Sequence, residues 1–328
     1  MKLSIIFFLF FPLLSFAQKK DTVFNYLDSS LQPSDEKDAA YFGVAIRKQE
    51  GWLLYALYAD TTPVIKAWFK DKKLQIKNGP YTIYYPKHIV AQQGYYRENK
   101  MNGVWQSWHP NGHKKDSGMM INNQLVGPWK EWYANGMLMY DCNYTNQPVN
   151  WPSQLLSPQF ALKDGNFTSW YNNGNMESTG VYKNDVMEGE WNWFHSNGKQ
   201  STIEHYKEGK VVSLQCFDTT GKETGEFCSI TKPALLKGFG DYKEFIFQNL
   251  TWPEEALKKN IEGTVNVRFT VNKTGSLENL TVEADQDVFK KAVLELFESM
   301  KEWDPAVSHN RDIDWEEEMT IPFTKNKQ

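Results

Sequence analysis

The side chains best suited to metal binding or nucleophilic attack are six His and three Cys. His109 and His113 stand four apart, the spacing of a zinc pair on one helix face. They flank Asn111-Gly112, however, a turn signal that keeps them off a common helix. His195 falls at a position occupied elsewhere in the chain by His109, Tyr133 and Tyr171, which is the pattern of a packed ring. Cys142, Cys216 and Cys228 are an odd count without metal-ligand spacing; in an oxidising compartment Cys216 and Cys228 could close a short local loop. There is no Gly-x-Ser-x-Gly elbow, no His-Glu-x-x-His helix and no phosphate loop, and Gly238-Phe239-Gly240 reads as a helix entrance. Carboxylates are many, yet no two are singled out by an apolar setting that would perturb a pKa. The sequence therefore points to no catalytic residue, no metal, no cofactor and no small-molecule substrate, and the chain is expected not to be an enzyme.

Organisation carries the reading instead. A chain of 328 residues and 38.2 kDa suggests about two domains. Lys plus Arg is 36 and Asp plus Glu is 40, a net charge of −4. That balance excludes a nucleic-acid binder working through bulk positive charge, and with no polybasic tract, membrane contact is expected only through a partner. Aromatic residues make up 15%, with 13 Trp, which suits repeated β-structure faced with rings. Residues 229–328 hold 13 basic and 18 acidic side chains and carry −5, whereas 19–228 hold 22 of each, so two units of different character are expected.

The chain starts as a targeting segment. Lys2 is the positive region, Leu3 to Leu14 the apolar run, and Ser15-Phe16-Ala17 supplies the small residues of a cleavage site after Ala17. The run is short for a membrane span, which needs about 20 residues, and no Cys follows to carry a lipid. The expectation is a signal peptide over 1–17 and an exported product, periplasmic or associated with the outer envelope, with a retained anchor as the alternative. Residues 18–40 are polar and read as a flexible lead-in.

Gly79, Gly103 and Gly127 are spaced by 24, and after a 14-residue insertion Gly165 and Gly189 resume that spacing. Two positions after each Gly stands Tyr81, Trp105, Trp129, Phe167 or Trp191; five positions after it stands Tyr84, Trp108, Trp132, Trp170 or Phe194. Asn-Gly follows at Asn111-Gly112, Asn135-Gly136, Asn173-Gly174 and Asn197-Gly198, while the first copy has Lys87-His88 there. Asn-Gly between aromatic segments is a hairpin signal of the type I′ kind, and links such as Arg97-Glu98-Asn99-Lys100 would join one hairpin to the next. A lone hairpin is marginal in water, so the hairpins must stack edge to edge. The insertion at about 149–162 reads as a loop.

These residues resemble the bacterial variant of the MORN-type repeat, best at Gly127 to Gly136, over about residues 78–228. The resemblance implies an elongated array of β-hairpins with an interaction role. Residues 41–77 share the strand-like aromatic character and read as an irregular N-terminal cap, so the array is placed at 41–228.

Beyond Cys228 the pattern changes. Asp241 to Leu250 and Pro253 to Lys259 read as short helices, and Thr264 to Val271 alternates strictly, with Val265, Val267, Phe269 and Val271 on one face. Asn272 to Gly275 is a turn, Leu277 to Val282 the partner strand, and Val288 to Met300 a helix. The last strand runs over Trp315 to Phe323 with Trp315, Glu317, Met319 and Ile321 on one side, making a two-layer α+β unit. Trp252-Pro253, Ala256, Ile261, Gly263, the alternating strand, Gly275, Trp303, Pro305 and Ile321-Pro322-Phe323 resemble, in order and spacing, the TonB C-terminal domain. The fold expected is thus mainly β plus α+β: a meandering array of hairpin repeats, then a TonB-like two-layer domain at 229–328.

That resemblance implies a periplasmic domain that captures an extended segment of a partner protein, in the family an outer-membrane transporter, on the edge of its last strand. By position the partner-binding residues are then Trp252, Pro253, Trp315, Glu317, Met319, Ile321 and Phe323. No Pro-rich spacer is present to reach across a periplasm. The function expected is a protein-binding adaptor of the cell envelope; the alternative is a structural repeat scaffold without energy transduction. Two copies could also pair through free strand edges.

Overall fold

The computed structural model describes residues 21–31, 33–58, 62–145 and 161–324, so the expected signal peptide at 1–17 and the insertion as far as residue 160 lie outside the described residues. The chain divides into two compact units, Met1–Asn175 with Val181–Val186, and Met176–Gly180 with Met187–Gln328.

In the first unit antiparallel strands follow one another in sequence. Tyr41–Lys48, Gly51–Leu57, Pro63–Phe69 and Lys77–Tyr84 pair in that order. Val90–Arg97, Lys100–Trp108, Lys114–Ile121, Gln124–Trp132, Leu138–Thr145 and Leu162–Trp170 continue it. The N-terminal part has a core of its own, in which Leu27, Leu54, Ala56, Ile65 and Ala67 are at most 2% exposed. The described part of the expected flexible lead-in is therefore corrected. Thr22–Leu27 is a strand that pairs with Tyr41–Lys48, because Val23 and Leu27 can reach that core.

The turns are also exchanged relative to expectation. At Asn111-Gly112, His109 N–H bonds to the His113 carbonyl and Gly112 N–H to the His109 carbonyl, with only Gly112 at positive φ (86°). This is a three-residue loop, a type I turn closed by a glycine bulge, and Tyr133 to Met137 and His195 to Lys199 repeat it. The paired positive φ values of a type I′ turn occur at the links instead: Glu98-Asn99, Asn122-Asn123 and Asn184-Asp185. The Asn of Asn-Gly serves the stack. Asn111 donates to the Ala134 carbonyl at 2.6 Å, Asn135 to Asn172 at 2.7 Å and Asn197 to Thr219 at 2.8 Å, joining each hairpin tip to the next.

Packing within the repeats is a ring over a slot. Gly94, Gly118 and Gly180 stand fifteen positions after their repeat's first Gly, and a Cβ at any of them would overlap the ring of Trp105, Trp129 or Trp191 on the next hairpin. The equivalent Cys142 lies in register with Phe167, a smaller ring. Trp105 and Trp191 are 2% and 0% exposed, whereas the aromatics five positions after the first Gly are only partly buried. Trp129 and Phe167 are partly buried as well, so of the aromatics two positions after the Gly it is Tyr81, Trp105 and Trp191 that are buried.

From Met187 on, the second unit holds the rest of the strand Val186–Phe194, the strands Gln200–Lys207 and Lys210–Phe217, then the α/β region. Helix α1 (Tyr242–Asn249) is capped by the Asp241 carboxylate, which accepts from Lys243 N–H at 2.9 Å. Helix α2 (Glu254–Lys259) starts after Pro253, and α3 (Asp287–Ser299) lies on the sheet. That sheet orders Leu277–Ala284, Gly263–Val271 and Trp315–Phe323, all antiparallel. Phe289, Val293 and Phe297 of α3 meet Val265, Val267 and Phe269, all 0% exposed. Each such ring contributes about 1.5–3 kcal/mol of transfer free energy. Gly275 cannot be replaced freely: its φ is 81° and a Cβ there would strike the Trp303 carbonyl.

Candidate functional site

Trp315–Phe323 pairs with Gly263–Val271 over nine residues without a register shift, from Val271 opposite Trp315 to Gly263 opposite Phe323. Among the described residues its other side pairs with no strand, so a row of main-chain donors and acceptors is left for a further strand. Inward and outward residues alternate. Ile321 and Phe323 are 3% and 1% exposed, Trp315, Glu317 and Met319 are partly buried, and Glu316, Glu318, Thr320 and Pro322 point out.

The inward residues are held by α1 and α2. Tyr242 donates its hydroxyl to Glu317 Oε1 at 2.8 Å, and Lys243 Nζ lies 3.3 Å from the same oxygen. Burial, then the bond to Glu317, pushes the Tyr242 phenol above its ordinary value, so it stays a donor. The Trp315 ring lies 5.9 Å from that of Tyr242. Trp252 packs edge-on against Phe289 and Phe323, both at 5.7 Å, and Pro253 caps α2. Of the seven predicted residues, Ile321 and Phe323 are buried in the core, Trp252, Trp315 and Met319 pack partly buried against it, and Glu317 and Pro253 are partly buried. The surface left to a partner is the main-chain edge with Glu316, Glu318 and Thr320. Glu318 is paired with Arg268 at 2.9 Å, and the Thr320 hydroxyl donates to Asn266 Oδ1 at 2.7 Å.

The candidates for chemistry sit elsewhere, as parts of the stack. His109 Nε2 lies 2.8 Å from the Trp132 carbonyl and His195 Nε2 3.2 Å from that of Phe217, the same contact that the Tyr133 hydroxyl makes to Trp170. Cys216 and Cys228 form a disulfide. Cys142 is buried, and burial pushes its thiol up to about 11. Among the described residues no three His, Cys, Asp or Glu are grouped to hold a metal ion, and no helix is long and apolar enough to cross a membrane.

Sequence reasoning missed one cluster. Glu204, 0% exposed, accepts from the Thr202 hydroxyl at 2.7 Å, the Tyr206 hydroxyl at 2.6 Å and His309 Nδ1 at 2.9 Å. Burial alone would push this carboxyl up; the bonds from His309, Thr202 and Tyr206 outweigh it and hold the group below its ordinary value. The signal was available, since Glu204 stands in the slot that Gly94, Gly118 and Gly180 occupy in other repeats.

Compared with known families, residues 248–324 match the model of the Gram-negative bacterial TonB protein C-terminal, and residues 125–146 and 163–184 match the MORN repeat variant. No curated protein matches the chain. Repeats of the MORN variant are thus followed in this chain by a C-terminal domain of the TonB type.

Proposed function

We propose that this is an exported, non-catalytic adaptor of the cell envelope, whose C-terminal domain captures an extended segment of a partner protein by strand addition along Trp315–Phe323. The observation that carries this reading is the unpaired, unbulged edge of that nine-residue strand within a TonB-type domain. A segment of an outer-membrane transporter is the partner we infer from the family, and the repeats set distance or offer a second surface. The test is photo-crosslinking in cells from a reactive residue at outward-facing Thr320, with a control at exposed Lys290 on α3. A partner captured from Thr320 and absent from Lys290 supports the reading; a blank from both with a folded, abundant protein refutes it.

A second reading, a scaffold without a strand partner, is favoured by Glu316, Glu318 and Pro322 on the outer side of the edge. Charge and proline there are the devices by which soluble proteins discourage edge pairing. It expects substitutions on the last strand to alter stability and leave every interaction intact.

A further inference from the structure

Each hairpin in the repeats covers the slot of the one before it with a ring, so the last hairpin leaves a slot that nothing in the repeat pattern fills. In the second unit that slot is Glu204, in register with Trp191 on one side and with Leu214, not a ring, on the other. A buried carboxylate there is costly unless partnered. The partner comes from a turn more than a hundred residues later.

The turn lies between the short strands Ala306–Ser308 and Arg311–Ile313, with His309 and Asn310 both at positive φ, 50° and 59°. The paired positive φ values make this a two-residue turn of the same kind as the hairpin links. Its imidazole lies flat on Trp193, centroids 3.5 Å apart and planes at 8°, and Trp193 is in turn stacked on Trp191. The His309 ring therefore continues the ring ladder where a further repeat would have supplied Trp. Further contacts hold the turn. The Ser201 hydroxyl donates to the His309 carbonyl at 2.9 Å and Asn310 Nδ2 donates to the Phe217 carbonyl at 3.0 Å. The Arg311 guanidinium, 8% exposed, lies over Trp193 at 5.0 Å and pairs with Glu177 at 3.1 Å. His309 and Asn310 N–H also bond the Ile230 and Ser229 carbonyls, just beyond the disulfide at Cys228.

We propose that the His309-Asn310 turn is a key cut for the last slot of the repeats, which makes the TonB-type domain the obligate end cap of the array rather than a module on a free linker. The strands at 186–217 and the α/β region then open as one cooperative unit. Because Trp315–Phe323 follows Arg311–Ile313 directly, a pull on the edge strand is delivered through the keyed turn to the repeats. That last consequence rests on the partner reading above; the key itself does not, and its test needs no partner.

The experiment is native-state hydrogen exchange on the full chain, comparing wild type with H309A, E204G and the double variant. Removing His309 leaves a buried carboxylate short of a donor, so amides of 200–217 exchange faster by on the order of tenfold or more, while those of 94–108 keep their wild-type rates. E204G restores the small residue of the other slots and loosens the same segment, and the double variant is no looser than the looser of the two single variants, because both changes break the Glu204–His309 contact. Unchanged exchange at 200–217 in H309A, or effects of the two changes that simply add, would overturn the proposal. Should H309A fail to fold, N310G keeps the left-handed turn and removes only the donor to Phe217. It is expected to loosen the same strands more mildly, and wild-type exchange there would likewise overturn the key.

Discussion

In the repeats, Trp105 and Trp191 are buried by being laid over a glycine on the preceding hairpin, whereas in the C-terminal domain Phe269, Phe289 and Phe297 are buried by one helix across one face of a sheet. The first arrangement passes burial from hairpin to hairpin and has no natural end, so it must be capped at both ends. In the first unit Gly51–Leu57 and its neighbours do this with an apolar core; in the second, His309 fills the slot at Glu204. The second arrangement closes its core completely and leaves main chain, not side chain, unsatisfied at its rim. Two ways of hiding aromatic rings thus leave two different things exposed, and the second leaves a nine-residue edge to which another strand can be added.

Substitutions can separate these two modes of burial. The largest effect is expected from F269A, which empties the centre of the closed core and should lower unfolding free energy by about 3–5 kcal/mol in denaturant titration. G180A should cost less, about 1–3 kcal/mol, since its methyl group forces the Trp191 ring off its slot but leaves the rest of the hairpin to adjust. A loss from G180A as large as that from F269A would show that the repeats share one core after all.

Acid gives the next, smaller effect. Glu204 titrates below its ordinary value in the folded chain, so its contribution is fully present above pH 4.5 and is lost as pH falls through the folded value. Stability measured against pH should therefore fall more steeply below that point in wild type than in E204Q, and parallel curves would contradict the assignment. The smallest effect is expected from R268A. Its partner Glu318 and the guanidinium are both largely in water, so stability should not change within the error of the titration.

Much of this organisation was legible in the residues. The 24-residue period located the hairpins, and the strict alternation from Val265 to Val271 and at Trp315 to Phe323 gave both the strands and their inward faces. The turn types were not legible, because Asn-Gly serves a type I′ turn and a glycine-bulged loop equally well. The register shifts just before Trp108, Trp132 and Phe194 decide for the bulged loop. The strand Thr22–Leu27 was hidden by polar neighbours, since only Val23 and Leu27 carry its burial. For the candidate site, the family position of the residues did not tell which way their side chains face. Trp252, Ile321 and Phe323 read as partner-binding by family position; Ile321 and Phe323 are buried and Trp252 packs against the same core. The Glu204–His309 contact joins residues 105 apart, and no local pattern around His309 announces it.

A partner that adds as a strand is tested most directly by a crosslink ladder. Reactive residues placed one at a time at Glu316, Glu318 and Thr320, all on the outer side of the edge, are crosslinked in cells and the partner residues identified by mass spectrometry. Strand addition predicts that the crosslinked partner position moves by two residues for each step of two along Trp315–Phe323, because neighbouring strands share one repeat. The same partner residue captured from all three positions, or a partner captured equally from Lys290 on α3, would contradict it.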